Sequence, residues 1–330
     1  MAVEKSFFGN IEENTPIYLY KITNSSGASV TLQTLGAGIQ SLCVPDRNGV
    51  LADVVLGFDN PQDYLNPDYG YQGLVVGRWA NRIRDGHFVF DGKAYNTPKN
   101  QGTWTLHGGG RFSFTPWDVE ETGEDYIVFK RFSPDGEDGF AGNFTMKVKY
   151  TLTDDNILRI AYTVLCDIDT VANPTNHAYF NFTEGRDNAL SHELYINADR
   201  VTVTGEGLLP VRDEPVSGGK YDFRTPRRIA EPIYDNNFIL NKNGPDASLY
   251  EESSGIYMEL TTDRPCLQLY ASTMLREQTG RYGCKYGRGH GVCLEPQLPP
   301  DCPNIKGYER HIITPENPFK ARLTYRFSVR

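Results

Sequence analysis

Proton chemistry near neutral pH needs a group that can hold or release a proton there, and histidine is the side chain whose ordinary pKa lies closest. One histidine stands out by its setting. The stretch Asn173-Pro174-Thr175-Asn176-His177-Ala178-Tyr179-Phe180-Asn181-Phe182 places His177 between polar residues at the head of an aromatic run. Read as a strand, the stretch puts His177, Tyr179 and Asn181 on one face and Ala178, Phe180 and Phe182 on the other. The second set suits a core and the first suits a cleft wall. The competing reading is a core histidine hydrogen-bonded to its neighbours.

Four further polar stretches carry chemistry-bearing residues. Gly77–Ile83 holds Asn81 and Arg82 beside apolar residues. Leu106–Gly110 sets His107 against three glycines, which leave space and permit close backbone approach. Ile233–Leu240 places Asp235 inside an aromatic and apolar run. Val292–Gln297 places Glu295 after an apolar strand and before Pro296, a residue expected to end regular pairing. A carboxyl group at such a buried end has its pKa raised, which suits a base working near neutrality. Each stretch alone also reads as a turn, a buried ion pair or a capped strand end.

The elements that must position these residues are short strands. Ile17–Ile22, Ser29–Leu35, Gln40–Val44, Asp53–Phe58, Tyr126–Phe132, Asn143–Leu152, Ile157–Val164, Glu193–Ile196, Val201–Thr204, Ile256–Thr261, Cys266–Ala271, Gly291–Leu294 and Ala321–Val329 alternate or run apolar. Asn48-Gly49 signals a hairpin with positive φ at both positions, and His87–Phe90, Asp91-Gly92 and Lys93–Tyr95 read as a second tight one. Two segments read as helical: one turn at Asn60–Tyr64, and Lys220–Glu231 with Thr225 as N-cap and Pro226 in the first turn. No β-α-β alternation and no repeat appears. The pattern predicts an all-β architecture, one domain of two sheets packed face to face over residues 1–330.

Composition narrows the function. The 330 residues carry a net charge of −9, the wrong sign for a nucleic-acid surface. No window matches a membrane span, and the start lacks an apolar signal core, so a cytoplasmic location is expected. The six cysteines show no Cys-x-x-Cys spacing. Cys284, His290 and Cys293 match no zinc pattern. Gly36-Ala37-Gly38 and Gly287–Gly291 lack the context of a dinucleotide loop and read as turns. Arg224, Arg227 and Arg228 form a basic cluster that reads as a solvated face, with phosphate binding as the alternative.

Taken together, the chain from about Tyr18 onward resembles the aldose 1-epimerase (galactose mutarotase) family. The resemblance rests on Leu35-Gly36-Ala37, Asp53–Phe58, Gly77–Ile83, Leu106–Gly109, Thr175–Phe182, Tyr234–Phe238, Leu294–Gln297 and Pro300-Asp301, in that order. It implies a large antiparallel β-sandwich of the galactose mutarotase type and interconversion of the α and β anomers of free hexoses such as galactose and glucose. It implies Glu295 as general base, His177 as general acid, and Asn81, Arg82, His107 and Asp235 as sugar-binding residues. Tyr179 or Trp104 would stack on the sugar. No hydride, phosphoryl or acyl group moves, so no cofactor or metal is implied. The expected partner is a monosaccharide, with no nucleic acid or membrane, and the expected state is a monomer or weak dimer. Trp79 and Asn236 depart from the family pattern and are expected to affect which sugar fits. The alternatives are a hexose-6-phosphate 1-epimerase using Arg224 or Arg227, and a non-catalytic sugar-binding protein on the same fold.

Overall fold

Alternation dictates burial along the longest strands. Phe144–Leu152 buries every second residue: Phe144, Met146, Val148, Tyr150 and Leu152. A slip of one residue would turn all five outward, at a cost on the order of 10 kcal/mol, so the register is strongly specified. In the computed structural model, which describes residues 3–12, 14–308 and 312–330, this strand lies in a nine-stranded sheet. The spatial order is Asp118–Thr122, Tyr126–Ser133, Phe144–Leu152, Ile157–Cys166, Phe319–Val329, Ile256–Thr262, Ala247–Tyr250, Glu193–Ile196 and Arg227–Arg228.

Among the described residues, five two-stranded ribbons and two five-stranded sheets accompany it. One takes the N-terminal strands in sequence order, Val3–Ile11, Thr15–Thr23, Ser29–Gln33, Gly38–Pro45 and Leu51–Asp53. The other runs Pro210–Pro215, Ala198–Thr204, Asp235–Leu240, Cys266–Tyr270 and Cys293–Gln297. The pairing within these sheets is antiparallel throughout. All three inner faces share one core, with Leu32 and Leu42 from the first, Tyr162 and Tyr325 from the large sheet, and Phe238, Leu269 and Leu294 from the third. The predicted antiparallel β-sandwich architecture is therefore observed, with three large sheets in place of the two expected. The helical segments among the described residues are single 3₁₀ turns, and no helix is long and apolar enough to cross a membrane.

Several local expectations shift. The helical turn lies at Asp63–Leu65 rather than Asn60–Tyr64. Lys220–Glu231 forms no helix. Arg227–Arg228 instead adds an edge strand to Glu193–Leu194. Phe223 and Ile229 are buried there, and the Arg227 guanidinium donates to the carbonyls of Lys220 and Asp222, holding the segment in an irregular course. At Asp46–Val50 only Gly49 takes positive φ, because the Asp46 carboxylate accepts from the backbone of Asn48 and Val50 and organises a longer turn. The Asp91-Gly92 hairpin forms as expected, with φ of 47° and 69°. Gly36-Ala37 is a turn of positive φ. All six cysteines are free thiols.

Pro296 does not end its strand. Leu267 opposes Pro296 and Cys266 opposes Gln297, so pairing continues past the proline. Cys293–Gln297 is the edge of its sheet, where a missing N–H leaves no ladder position empty.

Candidate active site

The wall of the cleft begins with three adjacent strands. Asp235 opposes Tyr270 and Gln268 opposes Glu295. Side chains two residues apart share a face, so Asp235, Gln268, Tyr270 and Glu295 all point the same way. Their neighbours Phe238, Leu267, Leu269 and Leu294 point into the core. Asn236 shares the core-side face, where its amide donates to the Thr202 carbonyl, so it is not a specificity residue of the cleft.

His177 arrives from the other side on a segment that is extended but not a continuous strand. Only Thr175–Asn176 pairs regularly, with Val75–Val76. Beyond it, the His177 N–H donates to the Leu74 carbonyl, the Leu56 N–H to Tyr179, and the Asn181 N–H to Val54. The apolar run Val54–Phe58 is thus not a strand but the cradle of this segment. Ala178, Phe180 and Phe182 enter the core, as alternation predicts. His177 and Tyr179 line the cleft with rings stacked at 5.1 Å. Asn181 does not line it. Its amide donates to the carbonyls of Asp187 and His290 and ties two loops together.

His107 and Asn81 form a third support. Both take left-handed backbone conformations, with φ of 49° and 65°, which non-glycine residues adopt only when the surroundings hold them. Two hydrogen bonds do so: the His107 N–H donates to the Asn81 carbonyl, and the Asn81 N–H donates to His107 Nδ1 at 3.2 Å. Nδ1 is therefore an acceptor, and the neutral ring carries its proton on Nε2. Burial, together with His177 and Arg82 nearby, holds the His107 pKa well below its usual value and keeps the ring neutral. The glycines after His107 serve packing within the chain. A Cβ on Gly108 would lie 2.5 Å from the Gly77 carbonyl oxygen.

These supports converge on a cleft of about 340 Å³. Glu295, His177, Asn81, Arg82, His107 and Asp235 all line it. His177 Nε2 lies 3.7 Å from Glu295 Oε2. Glu295 and His177 are buried, at 2% and 5% exposure. Arg82 Nε donates to Gln101 Oε1 at 2.8 Å, and its Nη2 lies 3.4 Å from Asp235 Oδ2. The other Asp235 oxygen accepts from Gln268 at 2.6 Å. Burial and the charge of Asp235 push the Glu295 pKa well above the usual carboxyl range, while Arg82 opposes the shift. Burial lowers His177 to about 4. Burial thus disfavours the charged form of both groups. Ligand atoms of His107, His177 and Glu295 lie within 4.8 Å of one another, the group among the described residues able to converge on a cation.

Some residues fall outside the site. Trp79 is fully buried in a satellite cluster with Ile83, Phe88 and Leu298, away from the cleft. Trp104 packs on Gly207 rather than lining the cleft. Arg78, the other arginine of its stretch, is buried and donates to Ser133 and to carbonyls around Ala141. Arg224 pairs with Asp199 and Asp222, and Arg228 with Glu252, so the basic cluster does not converge on a phosphate site. Conversely, Tyr71, Gln101 and Tyr270 line the cleft unanticipated. Tyr71 packs edge-on against His107 at 4.6 Å. Gln101 sits in a polar turn with no periodic signal, and Tyr270 looks like any strand aromatic until its partner strands are known.

The aldose 1-epimerase family profile matches residues 18–326. An aldose 1-epimerase from Haemophilus influenzae is 34% identical over 92% of each chain, and a galactose mutarotase from Sus scrofa is 33% identical over 100% of this chain and 99% of its own. Among solved structures, an aldose epimerase homologue from C. elegans superposes with a TM-score of 0.89 at 29% identity, covering 99% of both chains. A galactose 1-epimerase from Lactobacillus acidophilus gives 0.86 at 26% identity, again over 99% of both.

Proposed function

Because the chain belongs to the aldose 1-epimerase family, we propose that it interconverts the α and β anomers of free hexoses such as galactose and glucose, with Glu295 and His177 as the proton-transfer pair. The chain is an isomerase. The observation that supports the residue assignment is the convergence of two buried titratable side chains, 3.7 Å apart, on one cleft wall.

Mutarotation moves two protons and leaves the count unchanged. The C1 hydroxyl loses its proton to Glu295 as the ring oxygen takes one from His177. The C1–ring oxygen bond breaks to give the aldehyde, the C1–C2 bond rotates, and the ring closes on the other carbonyl face with the transfers reversed. The reacting tautomer carries the proton on His177. Burial disfavours its two charges, while the Arg82 guanidinium favours the Glu295 carboxylate it contains. Each group supplies about 10²–10⁴-fold. His107 Nε2–H and Arg82 are placed to donate to the sugar as charge develops on it. Asp235 and Asn81 hold hydroxyls, and Tyr179 offers a ring wall. We read the chain further as one domain over residues 1–330, acting in the cytoplasm on a monosaccharide without a cofactor, as a monomer or weak dimer.

Hexose-6-phosphate and purely sugar-binding readings are not favoured, since Arg224 and Arg227 do not line the cleft and both acid and base do. Polarimetry of freshly dissolved α-galactose and α-glucose tests the proposal with wild type and Glu295→Gln. The expected result is rapid decay with wild type and a loss of about 10²-fold or more in the variant. Equal rates for the two proteins would remove Glu295 as the base.

A further inference from the structure

The outer face of the large sheet is unusually basic for a chain with a net charge of −9. Lys149, Ala161 and Arg322 lie in one cross-strand row, and Thr151, Arg159 and Thr324 in the next. Arg159 is therefore diagonal to both Lys149 and Arg322, at Cβ separations of about 7 Å. Ala161 is the small residue between two long ones, and the result is a hollow of about 330 Å³ walled by three cations and two threonine hydroxyls.

Two other cations of this face are neutralised. Lys130 and Lys147 both pair with Glu120. Lys149, Arg159 and Arg322 make no ion pair among the described residues. Lys149 Nζ lies over the Tyr126 ring at 3.4 Å. Asp263 accepts from the Arg322 backbone N–H, which leaves the guanidinium available. Arg159 is flanked by a like charge on either side, Lys149 and Arg322, and an anion seated beside it relieves the repulsion. The overall negative charge does not prevent this, because charges more than about 8–10 Å away are screened at physiological salt.

From this geometry we infer that the hollow between Lys149, Arg159 and Arg322 is a binding site for a phosphate group, taken from inorganic phosphate or a small phosphorylated metabolite. The two arginines present planar forks that suit bidentate phosphate recognition. Thr151 and Thr324 supply hydroxyl donors on opposite walls. The site lies on the solvent face of the sheet, whereas the cleft is built from the Cys266–Tyr270 and Cys293–Gln297 strands of another sheet.

The test is isothermal titration of the full chain with orthophosphate and, separately, with glycerol 3-phosphate, at constant ionic strength. Saturable binding is expected for wild type and for Arg326→Gln, which removes a cation from the same face outside the hollow and opposite Glu259. Arg159→Gln and Arg322→Gln are each expected to weaken binding by about tenfold or more. Saturating galactose leaves the affinity unchanged. Tighter binding of orthophosphate identifies the free anion as the source, and tighter binding of the ester identifies a metabolite. No saturation in wild type, an equal loss in Arg326→Gln, or displacement by galactose would overturn the inference. Thermal unfolding of each variant, expected within about 2 °C of wild type for exposed substitutions, separates lost binding from lost folding.

Discussion

Two buried histidine–glutamate pairs occur among the described residues, and they are built to opposite ends. At the end of the large sheet, His192 Nδ1 lies 3.1 Å from Glu251 Oε2, while His192 Nε2 accepts the Phe182 N–H at 2.8 Å. Glu251 also accepts from Ser191 and from the backbone and hydroxyl of Ser253. In the cleft, His177 and Glu295 stand 3.7 Å apart, and His177 Nδ1 and Glu295 Oε2 have no hydrogen-bond partner. The carboxyl groups respond in opposite directions. The His192 ring beside it, with Ser191 and Ser253, pulls Glu251 down to about 2, whereas burial pushes Glu295 up. Saturating a carboxylate with donors locks its charge. Leaving it buried and under-partnered raises its affinity for a proton, which suits transfer to and from a substrate.

The comparison is most severely tested at His177. His177→Asn is expected to lower kcat by about 10²–10⁴-fold in polarimetry while leaving Tm close to wild type. A large loss of Tm with normal activity in the folded fraction would mean that the cleft pair is structural after all. The mirror experiment is Glu251→Ala, which strands a buried histidine. It is expected to cost about 3 kcal/mol in denaturant unfolding, with activity per folded molecule unchanged. A catalytic defect without destabilisation would break the distinction from the other side.

Acid separates the pairs within one protein. Glu251 is depressed, so its stabilising contribution is present above the usual carboxyl pKa of 4.5 and is lost as pH falls toward about 2. The cleft pair gains a second proton as pH falls through about 4, where His177 titrates. Activity should therefore disappear reversibly with a midpoint near pH 4, ahead of any loss of circular dichroism from the Glu251 pair. Coincident loss of both signals would show unfolding rather than titration. The smallest expected effect is that of Arg224→Gln. Its pairs with Asp199 and Asp222 are solvent-exposed, so the denaturant midpoint should stay close to that of wild type. The galactose KM should not move, and a change there would reopen a role for the basic cluster.

Much of the fold was legible because side-chain alternation is a local property. Phe144–Leu152, Ile157–Cys166 and the hairpin around Asp91-Gly92 appear nearly where the pattern places them. The failures have local causes too. Lys220–Glu231 carries a capping threonine and a proline, but the turn of Gly218–Asp222 and the carbonyls that hold Arg227 override that propensity. Pro296 reads as a terminator unless its strand is known to be an edge.

The sequence by itself determined which residue types were available for proton transfer and which face of His177's segment would be anchored. Ala178, Phe180 and Phe182 alternate with it whatever the partners are, because the two-residue period belongs to an extended backbone. Only the tertiary structure decided that His107, His177 and Glu295, which come from three distant parts of the chain, meet within 4.8 Å. It also decided that Asn181 ties loops while Tyr179 lines the cleft, and that Trp79 and Asn236 face away from it. The physical reason is range. Periodicity and turn chemistry act between residues a few positions apart. Which strands become neighbours, and so which buried carboxyl is left short of hydrogen-bond donors, depends on packing between segments tens to more than a hundred residues apart.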